Sequence, residues 1–272
     1  MDAPARPHQV IVVPCYNEEQ RLDVATFEHF ARDHAGVRFV MVNDGSRDGT
    51  LARLIELRSR LPHAFDVLDQ PRNTGKAEAV RAGMLHALGT GCDACGYWDA
   101  DLATPLDELA HFAAALRDHP EVLMVFGARV QLLGRSIARS TARHYLGRVF
   151  ATAASSVLRL PIYDTQCGAK LFRAGATARA LFATPFRVRW TFDVELIARL
   201  IRLRRQLGQD DAAQLIYEIP LHSWRDVPGS KVGAFDFARA QLEIARIYAA
   251  YLRPGAPPLP LDAGVHEDRV PM

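Results

Sequence analysis

The chain has 272 residues, enough for one domain with an elaboration around a full core. It is 49% hydrophobic and 24% charged, ordinary for a soluble globular protein, and a net charge of only +2 says little about partners, so the distribution of charge matters more. No basic–aromatic stripe or nucleic-acid motif is present, so nucleic acid is not expected as a partner. The four cysteines do not make a disulfide framework in a chain this long. Cys92 and Cys95 form one CxxC without a second pair to complete a zinc site, so buried thiols and a reducing, cytoplasmic setting are expected. The N-terminus has no secretory pattern, and the uncharged run near 149–158 falls short of the ~20 apolar residues of a spanning helix.

Taken in order, residues 1–8 read as an extension, and 9–13 as a buried β-branched strand ending at Pro14. PCYNEE (14–19) follows, then a helical pattern to about residue 34. A second buried strand over 37–42 ends in NDGSRDGT (43–50), where Asp48 is placed to cap a helix over 50–60. A third strand spans 64–68, and RNTGKAEAVRAGM (72–84) is a glycine turn entering a helix. The next strand ends in GYWDADLATP (96–105), with Pro105 opening a helix over 105–118. A strand over 122–127 continues the series. Strands alternating with helices predict an α/β fold with a mostly parallel sheet, whose strand-end loops share one rim. The second half predicts a long helix over 135–158, a turn and strand over 162–173, helices near 174–183 and 193–207, a strand near 214–219, a loop over 222–233 and a helix over 234–252. From 253 to 272 the composition has no periodicity and reads as a disordered tail.

Asp99 and Asp101 flank the small Ala100 where a strand becomes a loop, the place where open α/β sheets bind ligands. Two hard oxygen ligands at that spacing suit Mg²⁺ or Mn²⁺ shared with substrate phosphates, although an isolated DxD is also a common solvated turn. Asp44, at the end of the second strand, is placed either to accept from a base or ribose or to cap a turn. Gly75 and Lys76 open a helix and suit a phosphate, or are an ordinary helix start. Of the 33 basic residues only Lys76, Lys170 and Lys231 are lysine, each close to a glycine. Between Val122 and Tyr163 there is no acid, while Arg129, Arg135, Arg139, Arg143, Arg148 and Arg159 fall inside. Spacing of i, i+4, i+8 puts Arg135, Arg139 and Arg143 on one helical stripe, either a solvated face or the holder of a second anion.

PCYNEE, NDGSRDGT, NTGKAEAVRAG and DADLATP stand in the order and spacing of glycosyltransferase family 2, and over about 9–250 the chain resembles that family. YDTQCGAKLFR (163–173), WTFDVEL (190–196) and GSK (229–231) resemble its dolichyl- and polyprenyl-phosphate hexosyl synthases, most of all the β-glucosyltransferase branch. The resemblance implies a GT-A fold, with 9–128 a nucleotide-sugar-binding half and 129–252 an acceptor-binding half of a single domain. It implies that Pro14, Tyr16, Glu18, Asp44, Lys76, Asp99, Ala100 and Asp101 meet the donor, with Asp99 and Asp101 on the metal. It assigns Arg129, Arg139, Arg143, Arg225, Ser230 and Lys231 to the acceptor phosphate. Asp101, Arg129, Arg143 and Lys231 are then the expected catalytic set. Two positions depart from the family: Ala77, often a second glycine, and Ala103, where the mannosyl branch tends to carry a metal-holding Gln.

The resulting expectation is an inverting transfer of a hexose, glucose from UDP-glucose in preference to mannose from GDP-mannose, onto a polyprenyl phosphate. The alternatives are a transferase acting on a glycan hydroxyl, with Asp193 or Glu195 as base, and a non-catalytic nucleotide-sugar-binding module. Leu146, Phe150, Phe235, Phe237, Ile244 and Tyr251 on the helices 135–158 and 234–252 are placed either in a membrane interface, as a peripheral contact, or in ordinary packing on the sheet.

Overall fold

A computed structural model describes residues 8–138, 141–227 and 234–260, with side chains for all of these except 138, 141–146 and 234–238. Buried β-branched and aromatic runs form the strands. β1 (Gln9–Cys15), β2 (Val37–Asn43), β3 (Phe65–Asp69) and β4 (Ala94–Trp98) pair in parallel, joined through α1 (Val24–Asp33), α2 (Thr50–Arg60) and α3 (Lys76–Gly89). α4 (Glu108–Asp118), β5 (Met124–Ala128) and β6 (Ser136–Ala138) follow, then α5 (Thr141–Leu158), β7 (Ala169–Arg173), α6 (Ala176–Phe182) and α7 (Phe192–Gln206). β8 (Ile216–Pro220), β9 (Ser223–Arg225) and α8 (Ala234–Ile247) complete the order, α8 running on into a π-helical turn over Tyr248–Leu252.

The main sheet runs β3-β2-β1-β4-β7-β5-β8. β7 lies antiparallel between β4 and β5, and the other pairings are parallel. The sheet is the mostly parallel α/β arrangement expected of the sequence. Alternation along β1 explains the two-sided core: Val10 and Val12 face one layer with α3 and α7, and Ile11 and Val13 face the other with α1, α2 and α4.

Several sequence expectations are corrected here. The helix expected over 135–158 is two elements: Gly134 turns with φ +81, β6 pairs in parallel with β9, and α5 begins at Thr141. Arg135 therefore precedes a strand, and the 135/139/143 stripe does not exist on one helix. A strand also occupies 223–225, inside the expected loop. Phe150, Ile244 and Tyr251 are buried in the core and offer nothing to a membrane interface; the side chains of Leu146, Phe235 and Phe237 lie outside the description. Residues 253–260, expected outside the fold, pack on α7: Leu259 N–H donates to Gln206 Oε1 at 2.8 Å and Arg202 Nε to the Pro257 carbonyl at 3.1 Å. Residues 261–272 lie outside the described chain. Among the described residues no helix is long and apolar enough to cross a membrane.

Candidate active site

The C-terminal ends of β1, β2 and β4 open onto one cleft of about 370 Å³. Two loops that carry few apolar residues build its near wall by bonding to each other. Asn17, at φ 52, donates its N–H to Ser46 Oγ at 3.0 Å and accepts from the Arg47 N–H at 2.9 Å. Glu18 N–H donates to Thr50 Oγ1 at 2.8 Å, and Glu19 N–H to Asp48 Oδ2 at 3.2 Å. Asp48 also accepts from Thr50 N–H at 3.1 Å, so it serves the start of α2 from one position before the capping residue, Gly49.

Asp44 lines the cleft, but its carboxylate is fully occupied. It accepts from Thr74 N–H at 2.7 Å, Thr74 Oγ1 at 3.0 Å, Asn73 Nδ2 at 2.9 Å and Gly75 N–H at 2.9 Å. The turn-capping reading is what these bonds show, since Asp44 ties the turn that launches α3 while lining the cleft. Gly75 sits at φ +95, and a Cβ there would stand 3.0 Å from the Arg189 guanidinium. The positive φ favours glycine at 75, whereas the Arg189 side chain can move aside, and Ala77 is accommodated in the core.

Lys76, at the start of α3, reaches across the cleft and places Nζ 2.5 Å from Asp99 Oδ1. Desolvation pulls the Lys76 ammonium down, but Asp99, Asp193 and Asp101 outweigh it and hold the pKa above the ordinary lysine value. Asp101 accepts from the Ala103 N–H at 3.1 Å and stands 3.4 Å from Arg21 Nη2. Burial and the adjacent Asp99 carboxylate push the Asp101 carboxyl above its usual range, against the Ala103 N–H, Lys76 and Arg21. Two neighbouring carboxylates, compensated by the Ala103 N–H and by the Lys76 and Arg21 cations, offer hard oxygen donors.

Behind Asp99 the support comes from the other half of the chain. Asp99 N–H donates to the Gly168 carbonyl at 3.1 Å, and a Cβ at Gly168 would stand 1.9 Å from Asp99 Oδ2. The turn carrying Gly168 is held by the fully buried Lys170, whose Nζ donates to the Cys167 carbonyl at 2.7 Å, the Thr165 carbonyl at 3.1 Å and Asp193 Oδ1 at 2.5 Å. Tyr97 Oη donates to the same Asp193 oxygen at 2.5 Å. Lys170 is a structural cation, unlike Lys76.

All eight residues expected to meet the donor, Pro14, Tyr16, Glu18, Asp44, Lys76, Asp99, Ala100 and Asp101, line this one cleft. Of those expected to meet the acceptor, the two whose side chains are described, Arg129 and Arg225, do not line it. Arg129 is clasped by Asp164 through Nε at 2.6 Å and Nη2 at 2.8 Å and lies against the Trp224 ring, so it is neutralised by an acid just beyond the acid-free window. Arg225 lines a second cleft of about 570 Å³ with His29, Asp33 and Trp224. Arg139, Ser230 and Lys231 lie outside the described residues, as does the side chain of Arg143. Of the two carboxylates considered as bases for a hydroxyl acceptor, Glu195 is sealed in the core by Arg187 N–H, Val188 N–H, Arg199 and Tyr251 Oη. Asp193 is buried on Lys170 and Tyr97.

Arg21, Asn73, Cys15 and Gly168 were missed by sequence reasoning. Arg21 had a signal, as the one cation three residues after Glu18 in an acidic loop. Gly168 had none, because its contact with Asp99 depends on β7 inserting beside β4.

Residues 10–180 match the family described as Glycosyl transferase family 2. The chain is 32% identical over 265 residues to dolichyl-phosphate beta-glucosyltransferase ALG5C of Trichomonas vaginalis, covering 93% of this chain and 74% of the relative. The dolichyl-phosphate beta-glucosyltransferase of Drosophila melanogaster is also 32% identical, over 89% of this chain and 74% of its own. Among solved structures, mannosyltransferase PcManGT from Pyrobaculum calidifontis, in complex with GDP-Man and Mn²⁺, superposes with a TM-score of 0.57 at 24% identity. That match covers 93% of this chain and 66% of the other, and it shows a shared fold.

Proposed function

Because this chain belongs to glycosyl transferase family 2, we propose that it is a hexosyltransferase moving glucose from UDP-glucose onto a dolichyl or polyprenyl phosphate. The transfer inverts the anomeric centre and uses Mg²⁺ or Mn²⁺. The observation that carries this reading is the cleft itself, in which Asp99 and Asp101 meet Lys76, the start of α3 and the Tyr16–Glu18 loop. The dolichyl-phosphate beta-glucosyltransferases matched over most of the chain supply the substrate class.

The carboxylate pair fits a divalent cation by its chemistry. Its oxygens are hard donors, and Lys76 and Arg21 stand beside them as exchangeable counter-charges. When bound, such an ion neutralises the departing nucleoside diphosphate as a Lewis acid. The chain's own groups do the rest. Lys76 and the first N–H groups of α3 favour a phosphate. Gly168 and Ala103 fix Asp99 and Asp101 from below. Lys76, drawn off Asp99 by an incoming diphosphate, trades one anion for another without leaving the cleft.

A phosphate acceptor is already an anion, with a second pKa near ~6, and needs no base. The burial of Asp193 and Glu195 in ion pairs removes the two bases considered for a sugar hydroxyl, which favours the phosphate acceptor. Arg139, Arg143, Ser230 and Lys231 remain assigned to the acceptor phosphate by resemblance. Exposed Leu132, Leu133 and Val149, within the acid-free segment, supply apolar contacts for a peripheral approach to a membrane carrying the lipid.

A transfer assay tests the proposal by offering UDP-glucose and GDP-mannose, with Mg²⁺ or Mn²⁺, against a short polyprenyl phosphate. Glucosyl lipid from UDP-glucose that disappears with chelator is the expected result. Mannosyl lipid would move the donor assignment, and no lipid-linked product from either donor would overturn the reading.

A further inference from the structure

Seven residues past Asp101, the first turn of α4 carries Glu108, with His111 one turn on along the same face. The connection between β8 and β9 brings His222 to them. One carboxylate oxygen and one ring nitrogen from each histidine lie within 4.8 Å of one another. Glu108 is buried at 3% exposure, and both histidines are exposed.

The carboxylate is oriented before any ion arrives. Glu108 Oε1 accepts the N–H groups of His222 at 2.7 Å and Ser223 at 3.0 Å, and Oε2 is left facing His222 Nδ1 at 3.3 Å. The two imidazoles stack at 4.2 Å between centroids and 28° between planes. Burial pushes the Glu108 carboxyl up, while the Ser223 N–H, His111 and Arg135 oppose this. Arg135, half-exposed, is a cation whose charge reaches the carboxylate. Nothing in the proposed transfer uses these groups.

We infer that Glu108, His111 and His222 form a site for one borderline transition metal of the zinc class, separate from the cation at Asp99 and Asp101. Two imidazoles and one carboxylate are a donor set that zinc accepts, with water completing the coordination. Mg²⁺ and Mn²⁺, which suit oxygen ligands, are drawn to the aspartates. Backbone N–H groups on the ligating carboxylate are the outer-shell support such sites use. The ion closes a clasp. It joins α4, which follows the 99–105 turn, to β9, whose Arg225 N–H already donates to the Ala103 carbonyl at 3.0 Å.

The test uses the full chain without a histidine tag, freed of metal by chelation, with excess Mg²⁺ present to occupy the aspartates. Zn²⁺ is titrated by calorimetry, and Co²⁺ is followed by its visible absorption as an independent reporter of ligation. One saturable equivalent is expected, together with a rise in melting temperature. Both persist in Asp99→Asn. His111→Ala and His222→Ala each weaken binding by more than the roughly 10- to 100-fold that loss of an outer-shell partner costs. Both histidines are exposed, so the variants keep the fold, and their metal-free melting temperatures check this. No saturable equivalent in the wild-type chain, or binding unchanged in both histidine variants, overturns the assignment and leaves Glu108 as a hydrogen-bonded brace.

Discussion

Gly168 offers the sharpest separation between support of the site and support of the fold. A Cβ at this position would lie 1.9 Å from Asp99 Oδ2 and 2.2 Å from its Cγ. To restore an ordinary contact of about 3.4 Å the carboxylate must retreat by about 1.5 Å, and a misplacement of about 1 Å at a reacting centre costs on the order of 100-fold. Gly168→Ala should therefore lower kcat/KM by at least about 100-fold, or about 2.7 kcal/mol of transition-state stabilisation. Asp99 stands at the rim with its side chain 33% exposed, so it has solvent to move into. The melting temperature should fall by only a few degrees. Steady-state transfer measures the first quantity, Mn²⁺ titration the displaced ligand and thermal melting the third. Near wild-type kcat/KM with unchanged Mn²⁺ affinity would show that Asp99 is not the metal-side carboxylate.

Three further outcomes follow from the same contacts. Asp44→Asn removes one anionic oxygen from a set of four donors, so it should cost about 1–3 kcal/mol of stability as well as donor affinity; loss of donor affinity alone would return Asp44 to a purely base-reading role. Lys170→Met strands Asp193 in the core and should lower unfolding free energy by about 3–5 kcal/mol, with partial recovery in Lys170→Met/Asp193→Asn, as read by urea melts. Asp23, which caps α1 through Thr26 N–H at 3.1 Å, has its carboxyl lowered by the Thr26 hydroxyl and N–H bonds. A depressed folded pKa gives stability that is present above the unfolded value near ~3.9 and lost as pH falls through the folded one. Asp23→Ala should thus cost about 1 kcal/mol at neutral pH, and the gap should close in acid below the ordinary aspartate range.

The first half of the chain was legible because its signals are local. β1, β2 and β4 are short runs of mostly buried residues, each loop carries turn formers, and Asp44, Lys76, Asp99 and Asp101 fall at strand or helix ends whose direction is fixed by βαβ handedness. The second half was not, for reasons that lie in pairing between distant segments. β6 and β9 are three residues each, too short for periodicity to announce, and they stabilise one another across 87 positions of sequence, as in Ser136 against Ser223. Counting acids within a window suggested free arginines, but Arg129 finds Asp164 one residue past its edge. Lys170 shares with Lys76 a nearby glycine and an aspartate partner but not a setting: Lys76 lines the cleft, whereas Lys170 is fully buried beside Gly168, which lets a backbone pass under Asp99. Residues 253–260 show no periodicity in sequence because they are held at isolated points: their backbone groups bond Arg202 and Gln206, and only Ala256 and Leu259 are buried.

The division into a donor-binding half and an acceptor-binding half also changes meaning once the strand order is known. β7 belongs by sequence to the second half, yet it occupies the place between β4 and β5 and supplies the floor under Asp99. Lys170 on that strand reaches Asp193 at the start of α7, and Tyr97 on β4 meets the same carboxylate. A continuous run of contacts thus links the start of α7 to Asp99: Asp193 to Lys170, Lys170 to the Cys167 carbonyl, and the adjoining Gly168 carbonyl to the Asp99 N–H. On the other side, the Ala103 carbonyl takes the Arg225 N–H, so β9 is tied to the same turn that positions Asp101. The two carboxylates of the cleft are thus each braced by a different piece of the second half.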